Sequence, residues 1–231
     1  MRWRSMVMAV AGALVLAGCT PDFDEKALGG FDSDKVVRGS GRVVSEPRVV
    51  RDFTKVDLEA FGELKIERTG RESLTIEAED NILPLLSSDV SDGVLQLGNK
   101  ANVSFIGVKP ITYRLTVKDL DSITVSGAGR VTAPNLRTGT FTVAISGAGN
   151  ITVDGVADRQ DVEISGAGAY MAEDLESKAA EVTVTGPGSA VVRVSDTLDA
   201  TISGVGSIQY LGNPTVNRRV TGIGVITKLE R

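Results

Sequence analysis

Few side chains of this 231-residue chain could take part in catalysis, because it has 30 acidic residues but no histidine. The lack of histidine excludes serine-histidine-aspartate triads, cysteine-histidine pairs and histidine-bound metal ions. Glycosidases need only two carboxylates about 5 to 10 Å apart. The candidate pairs are Glu163 with Glu181 and Glu173 with Asp174. Because acids at alternating positions usually lie on a solvated strand face, we expect no catalytic residue.

The only cysteine, Cys19, follows a segment typical of bacterial export. Arg2 and Arg4 precede an apolar run that is too short to cross a membrane, which takes about 20 residues. The sequence Leu-Ala-Gly-Cys resembles a lipobox, so we expect residues 1–18 to be a signal peptide and Cys19 to be lipidated, which anchors the protein to a membrane. Thr20 in place of an aspartate indicates the outer membrane, by resemblance to enterobacterial sorting; whether the protein faces the periplasm or the surface stays open.

Composition limits the partners and the domain boundaries. The net charge is −5, and a mildly acidic chain argues against nucleic acid, which requires a basic surface. Residues 19–45 are rich in Asp, Gly and Ser, so we expect a flexible tether there and a folded domain over residues 46–231. No calcium-binding repeat of the Gly-Gly-x-Gly-x-Asp type occurs, and we expect no metal and no other cofactor.

One four-residue motif recurs six times: a hydroxyl residue, glycine, a small or apolar residue, and glycine. Its copies begin 18 to 20 residues apart. A fixed period of this length is the signature of a solenoid. The copies begin at Ser126, Ser146, Ser165, Thr185, Ser203 and Thr221.

The residues before each copy alternate like those of a half-buried strand. One and three positions before the hydroxyl residue the side chains are apolar, except in the last copy, where Arg218 stands three positions before. We predict an all-β fold, a single-domain, right-handed parallel β-helix with 18 to 20 residues per rung. The alternative is a hairpin-based sandwich, which predicts no fixed period. Residues 81–86 do not alternate, which indicates a short helical turn or a capping loop.

Two glycines at fixed offsets mark each predicted corner. A sharp bend needs a positive φ or a close backbone approach, and glycine tolerates both. We expect these glycines to be structural and the hydroxyl column beside them to form a ladder of hydrogen bonds. The alternative is that the turn amides or the hydroxyls bind an anion or a sugar. The corner glycines are Gly127, Gly129, Gly147, Gly149, Gly166, Gly168, Gly186, Gly188, Gly204, Gly206, Gly222 and Gly224.

The first copy of the motif belongs to a longer segment with a family resemblance. Residues 119–129 read Asp-Leu-Asp-Ser-Ile-Thr-Val-Ser-Gly-Ala-Gly, after Phe-Thr-Lys-Val at 53–56 and Ile-Thr-Tyr-Arg-Leu at 111–115. Together these segments resemble the GIN domain family, described as head domains of auto-transporter adhesins, over residues 47–229. The resemblance implies an exported, often lipidated β-helix. It implies no established biochemical role, because the adhesin name is itself an inference from architecture.

Three functions are compatible with these features. We favour a non-catalytic, adhesin-like module of the cell envelope that binds a polysaccharide or a protein partner along its flank. The second is a structural or self-associating scaffold, and the third is a β-helical enzyme that degrades polysaccharide. Sugar-binding surfaces usually display aromatic rings, but aromatics are 4% of the chain, and Tyr170 and Tyr210 align with interior positions. Arg218 and Arg219 in the last coil argue against stacking through that end.

Overall fold

The computed structural model describes residues 35–100 and 103–230. Within these residues the chain forms seventeen strands and one 3-10 turn, at Leu83–Leu85. The strands are β1 (Lys35–Arg38), β2 (Val43–Arg48), β3 (Lys55–Leu58), β4 (Gly62–Arg68), β5 (Ser73–Glu79), β6 (Leu86–Ser91), β7 (Val94–Asn99), β8 (Val103–Ile106), β9 (Thr112–Val117), β10 (Ser122–Val125), β11 (Ala128–Ile145), β12 (Ala148–Ile164), β13 (Ala169–Val184), β14 (Pro187–Ile202), β15 (Val205–Leu211), β16 (Thr215–Val220) and β17 (Ile223–Lys228).

The second half of the chain is a parallel β-solenoid, as the repeat predicts. From β10 to β17 the strands pair in parallel, so that each rung lies directly on the one before it. The whole stack makes about five turns. The residues one position before each motif form a continuous inner column, and its first five members are at most 1% exposed: Val125, Ile145, Ile164, Val184 and Ile202. Because side chains alternate in the same way in these rungs, their buried residues form one continuous core along the stack.

The first half joins the same stack out of chain order. β3 lies between β7 and β10, and β4 lies between β9 and β11, all in parallel register. In chain order, β3 and β4 form first. β7 and β9 then pair on one side of them, and from β10 onwards the chain stacks on their other side. β5 pairs antiparallel with β2 and β9, and β6 pairs antiparallel with β7. This end is therefore mixed, whereas the sequence predicts a parallel helix throughout.

Strands also occupy part of the segment that the composition assigns to the tether. β1 pairs in parallel with β8, and β2 pairs antiparallel with β5. Val37 and Val44 pack partly against the main core. These valines are the apolar signal that the polar composition of residues 19–45 hides, and the folded part includes residues 35–45. The tether boundary at residue 45 is therefore wrong.

A buried carboxylate ties this N-terminal segment to the solenoid. Glu79, which is 2% exposed, accepts hydrogen bonds from the amides of Gly41 at 2.5 Å and Lys109 at 3.0 Å. Close by, Nδ2 of Asn81 donates to the carbonyl oxygen of Arg38 at 2.8 Å. The buried carboxylate of Glu79 is therefore satisfied by two backbone amides, one after β1 and one after β8.

The two ends of the stack are closed differently. At one end the turn at Leu83–Leu85 precedes β6, the last strand of the sheet on that side, and Ile82 and Leu86 are fully buried. This confirms the short helical turn predicted there. At the other end Arg218 lies 5.6 Å from the ring centroid of Tyr210 and donates to its hydroxyl at 2.7 Å. A cation–π contact thus covers Tyr210 at the end where a further apolar rung would lie.

Candidate functional site

The glycine corners leave no room for a side chain. A Cβ atom on Gly147 would lie 2.7 Å from the carbonyl carbon of Ser126 and closer still to the carbonyl oxygens of Ser126 and Gly127. The first glycine of every copy meets the backbone of the neighbouring rung in this way. The second glycine also meets a core side chain: a Cβ on Gly149 would lie 2.5 Å from Cγ1 of Val125. None of the corner glycines has a positive φ, so close approach is what requires them.

The turn amides at these corners are engaged by the fold. The amides of Ser146 and Gly147 both donate to the carbonyl oxygen of Val125, at 3.0 and 3.2 Å, and each later copy repeats this shared acceptor. They are therefore not free to bind an anion. The predicted hydroxyl ladder does not form: within residues 35–100 and 103–230, the only side-chain hydrogen bond of this column joins Ser126 to Asp57 at 3.1 Å.

The first pair of candidate acids lies on a solvated outer face. Glu181 is registered beside Asp161, whereas Glu163 lies two residues further along, beside Thr183. Arg159 donates to Asp161 at 2.5 Å and to Glu181 at 2.7 Å. Both Glu163 and Glu181 are exposed, and Glu181 is ion-paired with Arg159. The structure therefore brings Glu163 and Glu181 onto one face but does not build a catalytic pair from them.

The second pair of candidate acids, Glu173 and Asp174, is exposed at an irregular bend of β13. Nε of Arg193 donates to the carbonyl oxygen of Glu173 at 2.6 Å, and Nη2 lies 3.9 Å from Oδ1 of Asp174. These contacts hold Arg193 on the rim of a neighbouring cleft.

This cleft has a volume of about 490 Å³ and crosses four successive rungs. Residues 156–158, 176–178 and 193–195 line it, together with Gly212 and Asn213. It lies where the register shifts between β12 and β13 and between β13 and β14. Such irregularities bend strands and re-aim side chains, and here they accompany a hollow in the flank.

The cleft combines aliphatic surface with paired charges. Ala157 and Val194 are buried beneath it, and Val156 stands 47% exposed at its wall. On the rim, Nζ of Lys178 donates to Oδ1 of Asp158 at 2.8 Å, and this hydrogen bond raises the pKa of the lysine. Apolar contact beside fixed donors and acceptors suits binding. The lining holds no histidine or cysteine for nucleophilic chemistry.

A chain of buried hydrogen bonds supports the cleft from inside. Oγ of Ser177 donates to the carbonyl oxygen of Arg193 and accepts from Nε2 of Gln160, both at 2.8 Å. Oε1 of Gln160 accepts from the hydroxyl of Tyr170 at 2.8 Å. Burial raises the pKa of the Tyr170 hydroxyl well above its usual range, so the group remains a donor. Fully satisfied networks of this kind hold side chains in one arrangement.

Sequence reasoning missed the cleft, because none of its residues belongs to the repeated motif. The available signal is a break in alternation near Gly155 and Gly212, whose φ angles are 125° and 101°. Tyr170 and Tyr210 lie in the core, as their alignment with interior positions predicts, and so do Tyr113 and Phe141. All four are at most 5% exposed, so none offers a ring for sugar stacking.

In residues 35–100 and 103–230, no helix has the length and apolarity that a membrane crossing requires. The same residues hold no group of three or more cysteine, aspartate or glutamate side chains arranged to bind a metal ion. Cys19 and the leader lie outside these residues, and lipidation stays a prediction.

Comparison with known proteins identifies a family and similar folds. A family model described as "Putative auto-transporter adhesin, head GIN domain" matches residues 52–214. The crystal structure of a "putative adhesin" from Bacteroides fragilis has a TM-score of 0.72 and 25% identity, and the match covers 84% of this chain and 100% of that one. No curated protein matches the chain significantly.

Two further structures share the fold at lower identity. A "putative lipid binding protein" from Parabacteroides distasonis has a TM-score of 0.54 and 20% identity, covering 85% of this chain and 100% of that one. A "putative adhesin" from the same species has a TM-score of 0.57 and 21% identity, covering 84% of this chain and 100% of that one. These two likenesses show the architecture alone.

Proposed function

The chain belongs to the GIN domain family of auto-transporter adhesin heads, and from this premise we propose that it is a non-catalytic binding module of the bacterial cell envelope. Its partner is an envelope polysaccharide or protein, and its binding site is the cleft between Val156 and Asn213. The family and its adhesin-like relative suggest a protein of the cell envelope or surface and a non-enzyme. The partner and the site are our inference.

The cleft is the observation that carries this proposal. It combines an aliphatic wall at Val156 with paired charges at Asp158 and Lys178. Because Tyr170, Gln160 and Ser177 brace it from the core, it is preformed, which lowers the entropic cost of binding. Charged and aliphatic groups recognise a partner by hydrogen bonds and apolar contact, without aromatic stacking.

A binding experiment tests the cleft directly. Purified protein, immobilised through its amino end, is mixed with fractionated envelope polysaccharide, peptidoglycan and membrane proteins. We expect saturable retention of one fraction. Val156→Arg places a long side chain in the cleft and should weaken retention about tenfold or more, which corresponds to about 1.4 kcal/mol. The matched control is Met171→Arg, since Met171 is 48% exposed and does not line the cleft.

The outcomes separate the candidate functions. Equal losses in the two arginine variants would place binding elsewhere. No retention by folded, monodisperse protein would favour the structural or self-associating scaffold. Breakdown of a retained polysaccharide would make the protein an enzyme and overturn the proposal.

We also propose that the protein is lipidated at Cys19 and held at the outer membrane. The lipobox-like Leu-Ala-Gly-Cys sequence and Thr20 support this proposal. Each buried methylene of a lipid chain contributes about 0.8 kcal/mol to membrane binding, so loss of the chains should release the protein. In cells fed a labelled fatty acid, Cys19→Ser should lose the label and move from the membrane to the soluble fraction. A labelled or membrane-bound Cys19→Ser protein would contradict the anchor.

A further inference from the structure

The main sheet has four strands with a single partner: β2, β6, β16 and β17. Exposed strand edges invite pairing with other chains, and proteins usually guard them with charge or proline. The guards are Glu46 and Pro47 in β2, Asp89 in β6, and Arg218 and Arg219 in β16. β17 differs, because it is uncharged from Ile223 to Thr227 and carries a charge only at its last residue.

β17 also displays apolar side chains to solvent. Ile223 is 76% exposed and Val225 is 54% exposed, and they share a face because they are two residues apart. Val205, 57% exposed, lies beside Ile223 on the preceding strand. In the adjoining corner Val220 occupies the inner column yet is 45% exposed, whereas its five counterparts are at most 1% exposed. The open end thus lacks one covering strand.

The charges near β17 indicate which kind of strand would pair with its edge. Residues 215–230 contain three cations and one acid, in a chain whose net charge is −5. Arg218 is engaged with Tyr210, whereas Arg219 is exposed at the outer face. A second copy stacked head to tail would bring β6 to this edge, and β6 runs antiparallel to its own neighbour, so it does not continue the parallel stack.

We propose that the outer edge of β17 binds an extended, acidic strand from a partner protein, in addition to the cleft. Backbone hydrogen bonds along the edge supply affinity. Alternate apolar side chains of the partner pack on Ile223 and Val225, and its acidic residues lie near Arg219 and Lys228. Arg218 of β16 occupies the inner side of the last rung, so the added strand pairs along β17.

The probe is a fluorescent eight-residue peptide that alternates valine with threonine and carries an acidic residue near each end. We expect saturable binding to the full chain by fluorescence anisotropy. A peptide with alternate amides N-methylated should bind about tenfold more weakly or worse, because it cannot donate those backbone hydrogen bonds to the edge. A peptide with lysine in place of both acids should also bind more weakly.

Matched variants assign the site. Val225→Asp should abolish peptide binding, whereas Val36→Asp, at a position 61% exposed on β1, should leave it unchanged. Both positions are exposed, and equal thermal midpoints would verify that both variants fold. Equal binding of the N-methylated peptide, or equal effects of the two variants, would overturn the proposal. Sedimentation showing a dimer that Val225→Asp dissolves would assign the edge to a second copy and overturn it as well.

Discussion

Replacing Gly147 by alanine is expected to lower the free energy of unfolding by about 3 kcal/mol, the upper end of the usual range for overpacking. The new methyl group would lie 2.7 Å from the carbonyl carbon of Ser126. Neither rung can move away, because the amides of Ser146 and Gly147 both donate to the neighbouring carbonyl of Val125. Relief of the clash would therefore break the ladder that joins the rungs. Urea unfolding of the two proteins measures the difference.

Gly139→Ala is the matched control for this prediction. Gly139 lies within β11, between two glycine corners, but a Cβ there would have no heavy atom within 4 Å. Alanine also has the higher intrinsic stability in regular structure, so we expect a change within about 0.5 kcal/mol. Similar unfolding midpoints for Gly147→Ala and Gly139→Ala would mean that the corners are not closely stacked.

Replacing Glu79 by alanine is expected to destabilise the protein by about 1–3 kcal/mol. The variant removes the acceptor of two hydrogen bonds, from the amides of Gly41 and Lys109, and each such bond contributes about 0.5–1.5 kcal/mol net. Because these amides lie in the segments around β1 and β8, the loss should begin there. Hydrogen exchange at Gly41 and Lys109 should accelerate before exchange in the solenoid core does.

Glu77→Ala separates this effect from the loss of any acid on β5. Glu77 makes a surface ion pair with Arg114, at 3.0 Å, and exposed pairs of this kind contribute about 0–1 kcal/mol. A Glu79→Ala protein as stable as Glu77→Ala, with unchanged exchange at Gly41, would show that the N-terminal strands do not depend on the buried carboxylate.

The features that recur with a fixed period are the ones that the sequence predicts. The inner columns before the first five motifs are buried as the alternation indicates, whereas in the last copy Arg218 contacts Tyr210 and Val220 is 45% exposed. The corner beneath the first motif is less regular: Glu59 and Ala60 stand beneath Ser126 and Gly127, and Gly62 pairs with Gly129. Without the motif, this earlier corner could not be recognised as part of the stack.

The candidate site was less predictable than the fold. Its cleft depends on where strands fall out of register, and a register shift changes which residues of two distant segments meet. Arg159 illustrates the point: its ion pair with Glu181, 22 positions away, follows from the stacking of the rungs. No local pattern carries either fact.

The sequence by itself determined the solenoid, the inward face of each rung and the need for hydrogen atoms at the corners. It could do so because side-chain alternation and a repeated backbone contact recur at every rung. Only the tertiary structure decided that β3 and β4 lie between later strands, that residues 35–45 join the fold, and that one end is left with an open edge. The physical reason is that alternation states which face of a strand is buried, whereas the identity of its hydrogen-bonded neighbour is set by packing of the whole chain.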